Sequence, residues 1–447
     1  MFTIEMGNWS FAPFVSETHK GRGTQSSLTL EVKMHSKWII AGCARWTAAC
    51  TFFGRAGAMS LRTVRPGKRW WLIASLLMLT ATGGCKQGPW TLWDSYAARF
   101  IDAQGRVIDH TVGDRTTSEG QAYALFFALA GDDRATFDRL LTWTQANLAN
   151  GDLETHLPAW LWGKNKDGEW KTLDPNPASD ADVWMAYTLV EAGRLWRAPY
   201  FTRVGRQMMA QIAGSEVADL PGFGPVLLPG PAGFKHDRFW TMNPSYMPLF
   251  LFERLAAVDP AGPWGQIARG IPGMLEASAR HGFAMDWVDY LPGDGFYPAT
   301  EMHPGNKDSD APGGSYDAIR VYLWAGMLDG GGKTRGRLLN ALPAMRVYLA
   351  NHDAPPEKVS DQGIPLEQDG PVGFSAAVLP YLRAFPDQGR LSAKQTIRMA
   401  FARNPSSGLY GKDLTYYDQN LALFATGFLD GRFRFGPGGE LKVEWKR

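Results

Sequence analysis

Residues Thr116 to Ala130 read TTSEGQAYALFFALA, and this stretch decides the fold. Ser118 is a good helix N-cap, and Gln121, three residues on, completes a capping box. The helix that follows is apolar on nearly every face, which marks it as buried within a larger assembly of helices. Its first turn nevertheless carries an ionisable group, Glu119. An acid there is favourable simply because it faces the positive end of the helix dipole. It would also be well placed on the floor of an active site.

Two further helix heads repeat the arrangement. In Ala178–Tyr187, ASDADVWMAY, Asp180 follows Ser179. In Gly314–Trp324, GSYDAIRVYLW, Asp317 stands two residues after Ser315. A fourth head, Asn243–Phe250, NPSYMPLF, has the serine but offers Tyr246 in place of an acid. Helical periodicity places additional helices near residues 137–148, 202–212, 244–256, 265–280, 334–350, 373–384, 391–402 and 415–428. Strand-like alternation is rare. Two Gly/Pro-rich segments, about 291–314 and 351–371, are long enough to be functional loops. The pattern is all-α and predicts an α/α toroid; no fixed-period repeat supports a solenoid. In a toroid the inner helices point the same way, so three carboxylates and a tyrosine would gather at one mouth. Each acid alone has a structural explanation, but three on buried helices do not reduce to dipole decoration, which surface helices could carry as well.

Composition agrees with a folded catalytic or binding domain. The 447 residues are 45% hydrophobic and 20% charged, and they include 18 Trp, 14 Tyr and 24 Phe, an aromatic load suited to both a core and a sugar-binding cleft. The formal net charge of +2 is unevenly spread. Residues 1–84 hold ten Lys/Arg and three Asp/Glu, and the remainder carries 36 basic against 41 acidic side chains. No nucleic-acid footprint is present. The eight His show no metal-ligand spacing, and no Gly-rich phosphate loop follows a strand, so neither a metal nor any other cofactor is expected.

From Met59 the sequence has the form of a secretory signal peptide: a basic segment (Arg62, Arg65, Lys68, Arg69), an apolar run from Trp70 and small residues up to Gly84. The expected organisation is therefore an over-long gene start or disordered extension over 1–58, a signal peptide over 59–84, and one catalytic domain over 85–447. The destination is periplasmic or secreted, and the apolar run is too short to leave a transmembrane segment in the mature chain. Lipid anchoring at Cys85 is the less favoured alternative, because Thr82-Gly83-Gly84 lacks the usual aliphatic residue. The mature chain would have one Cys and no internal disulfide.

The segments TTSEGQAYALFFALA, LPAWLWGK, ASDADVWMAYTLVEAGRLW, NPSYMP, SYDAIRVYLW and GPVGFSAAVLPYL resemble glycoside hydrolase family eight. Within it they resemble the periplasmic endoglucanases encoded in bacterial cellulose-synthesis operons. The similarity runs from about Trp90 to about Phe435, with Thr188 replacing the usual Ser or Ala. The resemblance implies an (α/α)6 barrel and an inverting endo-β-1,4-glucanase. The expected partners are cellulose chains and the cellulose synthase and export machinery, and the expected state is a monomer, on which the sequence itself is silent. The resemblance implies that Glu119 is the proton donor, Asp317 the base that activates water, and Asp180 the third active-site acid. It further implies that Tyr246 holds the attacking water and that Tyr316 lines the site. Arg320 is a candidate to hydrogen-bond the base or the sugar, and Trp160 and Trp162 are candidates to stack on glucose rings. Inversion requires about 6.5–9.5 Å between the two working carboxyls. A glucan-binding protein without catalysis, and hydrolysis of chitosan, xylan or mixed-linkage glucan, are the competing readings.

Overall fold

The computed structural model describes residues 88–299, 312–328, 332–367 and 369–446. The expected extension over 1–58, the signal peptide over 59–84 and Cys85 lie outside the described residues, as does part of the loop at 291–314.

The described helices are α1 (Thr91–Phe100), α2 (Ser118–Ala130), α3 (Arg134–Leu148), α4 (Ser179–Leu195), α5 (Pro199–Ser215), α6 (Leu249–Val258), α7 (Trp264–Ser278), α8 (Ala318–Met327), α9 (Lys333–Asn340), α10 (Pro343–Asn351), α11 (Val372–Arg383), α12 (Gly389–Ala402) and α13 (Tyr416–Asp430). Six of them, α2, α4, α6, α8, α11 and α13, form the inner ring. Each packs on the outer helix that follows it in sequence, and α13 packs on α1. This is the (α/α)6 barrel that the sequence predicts.

Burial separates the rings as their sequences demand. In α2 every residue except Glu119 is buried, and in α4 every residue except Arg194. The outer helix α5 instead buries only a stripe through Phe201, Val204, Met208 and Ile212. The helix predicted over 334–350 is two helices, α9 and α10. Pro343 starts the second, and the residue before a proline is driven out of helical geometry. Likewise Pro248 divides the predicted helix at 244–256 into a 3-10 turn, Pro244–Tyr246, and α6. Short strands, rare in the sequence reading, occupy the connections.

The barrel axis is filled with aromatic rings. Phe126 and Phe424 stack at 5.4 Å, closing the ring between α2 and α13, and Trp184 meets Trp324 at 5.3 Å. The end away from the inner-helix heads is plugged by a C-terminal hairpin, Phe433–Phe435 paired with Leu441–Val443. Phe435 stacks on Phe250 at 3.8 Å, and Tyr187 donates to the Gly439 carbonyl at 2.8 Å. Gly439 has φ of 73°, and a Cβ there would lie 1.9 Å from the Phe250 carbonyl, so only glycine lets the hairpin seat this closely. Beneath it the buried Glu191 accepts from Arg254 Nε at 2.7 Å, Arg194 Nε at 3.0 Å and the Leu441 amide at 2.8 Å. A buried carboxylate with this many charged and polar partners is satisfied, and it locks the plug to α4 and α6.

Candidate active site

The head of α2 is built differently from the expected capping box. Thr117, not Ser118, is the N-cap, and its hydroxyl accepts from the Gly120 amide at 3.2 Å. Ser118 lies inside the helix with its hydroxyl buried. Gln121 turns away from the cap: it accepts from the Val107 amide at 2.6 Å and donates to Thr144 Oγ1 at 2.8 Å and to the Gly105 carbonyl at 3.1 Å. It ties α2 to α3 and to the loop before it. Strand β1, Thr116–Thr117, runs straight into α2 and pairs with β2, Ala159–Lys164, which pairs with β3, Trp170–Pro177. The head of the acid-bearing helix is thus fixed by a sheet on one side and a buried amide on the other.

Glu119, Asp180 and Asp317 converge, as the toroid predicts, and Arg320 is the group that gathers them. Its Nη1 donates to Glu119 Oε2, to Asp180 Oδ2 at 3.1 Å and to Tyr123 Oη at 3.0 Å; its Nη2 donates to Asp317 Oδ1 and to Ser245 Oγ at 2.9 Å. One guanidinium therefore joins the heads of four inner segments, using the planar fork that only arginine provides. A fifth head enters through Tyr416 of α13, whose hydroxyl donates to Glu119 Oε1 at 3.0 Å. The sixth, that of α11, is held by Asp418, which accepts from the Gly373 amide at 2.8 Å.

Exposure sorts the three acids into two kinds. The side chains of Glu119 and Asp317 are 21% and 28% exposed, whereas those of Asp180 and Arg320 are 3% and 2% exposed. Glu119 and Asp317 face solvent from either end of the guanidinium; Asp180 lies beneath them. Burial pushes Asp180 up to about 7, with the Glu119 and Asp317 charges adding to the rise and Arg320 and the Ala181 amide opposing it. Burial, with the charges of Asp180 and Asp317, also holds the Tyr246 phenol well above the usual range, so it stays a neutral hydrogen-bond donor. Its ring lies 5.5 Å from the Arg320 guanidinium.

Behind Asp180 is a second pair of acids, on which the sequence reading was silent. Asp182 of α4 and Glu216, at the end of α5, are fully buried. Burial pushes Glu216 up to about 8, against a hydrogen bond from Asp182. Asp182 is raised by burial and then by the Glu216 charge. The two carboxyls interact across the α4–α5 interface.

The aromatic candidates occupy different positions. Tyr316 is 46% exposed and donates to Glu357 Oε1 at 2.6 Å, while its carbonyl accepts from Tyr417 Oη. Glu357 belongs to the segment predicted as a functional loop over 351–371. Trp160 is half-buried where the register of β2 against β3 shifts. One face of Trp162 is covered by Trp170 of β3, stacked at 5.0 Å, and Trp143 meets its edge. Arg106 lies 4.5 Å from Trp162 and 4.4 Å from Trp170. Trp170, 41% exposed, presents the open ring of this cluster. The sequence reading noted Ser245 only as the serine of a helix head and did not single out Tyr123, Trp170, Asp286, Glu357, Tyr416 or Tyr417. Tyr416 and Tyr417 were within reach of it, since they head a predicted helix as the acids do.

Chemically, the site offers two solvent-facing carboxyls, a buried third one titrating near neutrality, a fixed cation and neutral phenols. Among the described residues no group of His, Cys, Asp and Glu is arranged to hold a metal ion.

Comparison with known proteins matches residues 66–431 to the model of the glycosyl hydrolases family 8. An endoglucanase of Xanthomonas axonopodis pv. citri (strain 306) is 45% identical over 376 residues, covering 84% of this chain and 94% of the relative. An endoglucanase of Escherichia coli (strain K12) is 41% identical, covering 83% of this chain and 96% of its own. Among solved structures, the endo-1,4-D-glucanase of Vibrio fischeri ES114 superposes with a TM-score of 0.71 at 36% identity, covering 80% of this chain and all of that one.

Proposed function

The chain belongs to the glycosyl hydrolases of family 8, and on that premise we propose that it is an endo-β-1,4-glucanase that cleaves with inversion, Glu119 acting as acid and Asp317 as base. The observation that carries this reading is the pair of solvent-edged carboxyls on opposite nitrogens of one buried guanidinium. Relatives at 45% and 41% identity are endoglucanases, which supports the substrate class. Glu119 protonates the glycosidic oxygen as the bond to the anomeric carbon breaks. Asp317 takes a proton from a water that attacks the same carbon from the opposite face. The proton lost from Glu119 and the one gained by Asp317 balance, so the enzyme is restored by proton exchange with solvent.

Asp180 and Arg320 form the floor. In this reading Asp180 meets the sugar at the cleavage point and Tyr246 holds the attacking water. Tyr316 flanks the base, and the Trp160–Trp162 strand, extended by Trp170, forms an aromatic wall for glucose rings. The cations Arg106 and Lys164 against the Trp162 and Trp170 rings suit a neutral β-glucan better than a polycationic polymer such as chitosan.

We place the enzyme in the periplasm or outside the cell, delivered by residues 59–84, where it accompanies cellulose synthesis and export. The basic-then-apolar segment from Met59 and the sequence similarity to enzymes of cellulose operons support this.

The test is release of reducing ends from carboxymethylcellulose by the wild type, Glu119→Gln and Asp317→Asn. The wild type is expected to be active, and both variants are expected to fold but lose most activity. A wild type that binds glucan and releases no reducing ends would make it a binding protein. Retention of near-wild-type turnover in either variant would overturn its assigned role.

A further inference from the structure

Aspartate at a helix N-cap ordinarily turns back, and its carboxylate accepts from amides of the first turn. Asp317 is the N-cap of α8 and does not do this; its side chain makes no capping bond. The head of the helix is served from elsewhere. Asp286, in the connection that follows α7, accepts through a single oxygen, Oδ1, from the Ala318 amide at 2.7 Å and from the Ser315 amide at 2.9 Å. Its own amide donates to the Gly313 carbonyl at 2.8 Å. The two segments are pressed together: a Cβ on Gly314 would lie 2.1 Å from the Ala284 carbonyl. Asp286 is 8% exposed and lies within the electrostatic reach of both Asp317 and Arg320.

We infer that Asp286 is a positioning residue for the hydrolytic base. It brackets Asp317 between two bound amides, those of Ser315 and Ala318, and so fixes the backbone that carries the base. The Asp317 carboxylate is thereby left to face Arg320 and solvent. Arg320, one turn further along the same helix, is oriented by the same clamp. Without Asp286 the Ser315 and Ala318 amides on either side of Asp317 lose their acceptor. The backbone that carries the base is then free to shift, which would draw the carboxylate away from the water it must deprotonate. The inference rests on the assignment of Asp317 as base.

The test compares Asp286→Ala, Asp286→Asn and Asp317→Asn with the wild type, measuring kcat, KM and Tm on a soluble cello-oligosaccharide. Asparagine keeps the accepting oxygen; alanine removes it. Asp286→Ala is expected to lower kcat about 10²-fold, as displacement of a reacting group by about an ångström does, with KM little changed. Asp286→Asn is expected to restore most of the lost kcat. If Asp286→Ala fails to fold, the asparagine variant carries the test alone: kcat close to wild type supports the clamp, and a loss as large as that of Asp317→Asn overturns it. A folded Asp286→Ala enzyme with unchanged kcat, or with a loss only in KM, also overturns it. Activity retained in Asp317→Asn would instead overturn the assignment of the base, a separable result.

Discussion

Glu119 and Asp317, far apart in the chain, are held on the two terminal nitrogens of the same guanidinium, that of Arg320. Because Arg320 is buried and also bonds Asp180, Tyr123 and Ser245, the working carboxyls are fixed relative to one another by one rigid group. The site is therefore sensitive at that residue in two separable ways, through charge and through shape.

Arg320→Lys tests shape. A lysine keeps the charge but supplies no planar fork, so it cannot hold Glu119 and Asp317 at once. Circular dichroism should show a folded protein, and kcat should fall by about 10² or more, the scale on which misplaced catalytic groups lose rate. Arg320→Ala also tests charge. It leaves buried Asp180 beside two other carboxyls, and breaking such a cluster costs about 3–5 kcal/mol of stability, readable as a lower urea midpoint. Wild-type turnover in the lysine variant would contradict the account.

Tyr416 tests the seating of the acid. Its hydroxyl donates to Glu119 Oε1 and also meets the Thr117 side chain, and Tyr416→Phe removes both contacts while keeping the ring. A hydrogen bond to the protonated acid contributes about 0.5–1.5 kcal/mol, so a loss of about twofold to tenfold in kcat is expected, with KM nearly unchanged. An unchanged kcat would show that Glu119 is positioned by Arg320 without help from α13.

The Asp182–Glu216 pair makes stability depend on pH. Glu216 is raised from an ordinary 4.5 to about 8 in the folded protein. Between those values the folded state keeps a proton that the unfolded chain releases, so it binds more protons and unfolding free energy falls as pH rises. The contribution is fully present below the unfolded value and is lost as pH climbs through about 8. Glu216→Gln removes this term, while Asp180, raised to about 7, still contributes. Thermal unfolding followed from about pH 5 to about pH 9 should give a shallower fall for Glu216→Gln than for the wild type. Parallel curves would mean that Glu216 does not titrate this way.

The inner ring was legible in the sequence because several of its helices are apolar on nearly every face and begin with a polar head. That pattern located Glu119, Asp180, Tyr246 and Asp317 before any coordinates. The caps were misread because local propensity does not see tertiary partners. Ser118 and Gln121 fit a capping box by spacing, yet Gln121 finds buried partners on α3, and Thr117 takes the cap. Asp286 carries no local signal at all, since it caps a helix that begins more than thirty residues later. Trp162 was legible as an aromatic, but its covered face follows from strand register, which sets Lys164 opposite Trp170 and so brings the two rings together.

The central claim is a single displacement in which proton and water arrive from opposite sides of the sugar. Proton NMR of a short cello-oligosaccharide digest, recorded before the anomers equilibrate, tests it most directly. The account predicts that the newly formed reducing ends appear first as the α-anomer. Initial release of the β-anomer would contradict it.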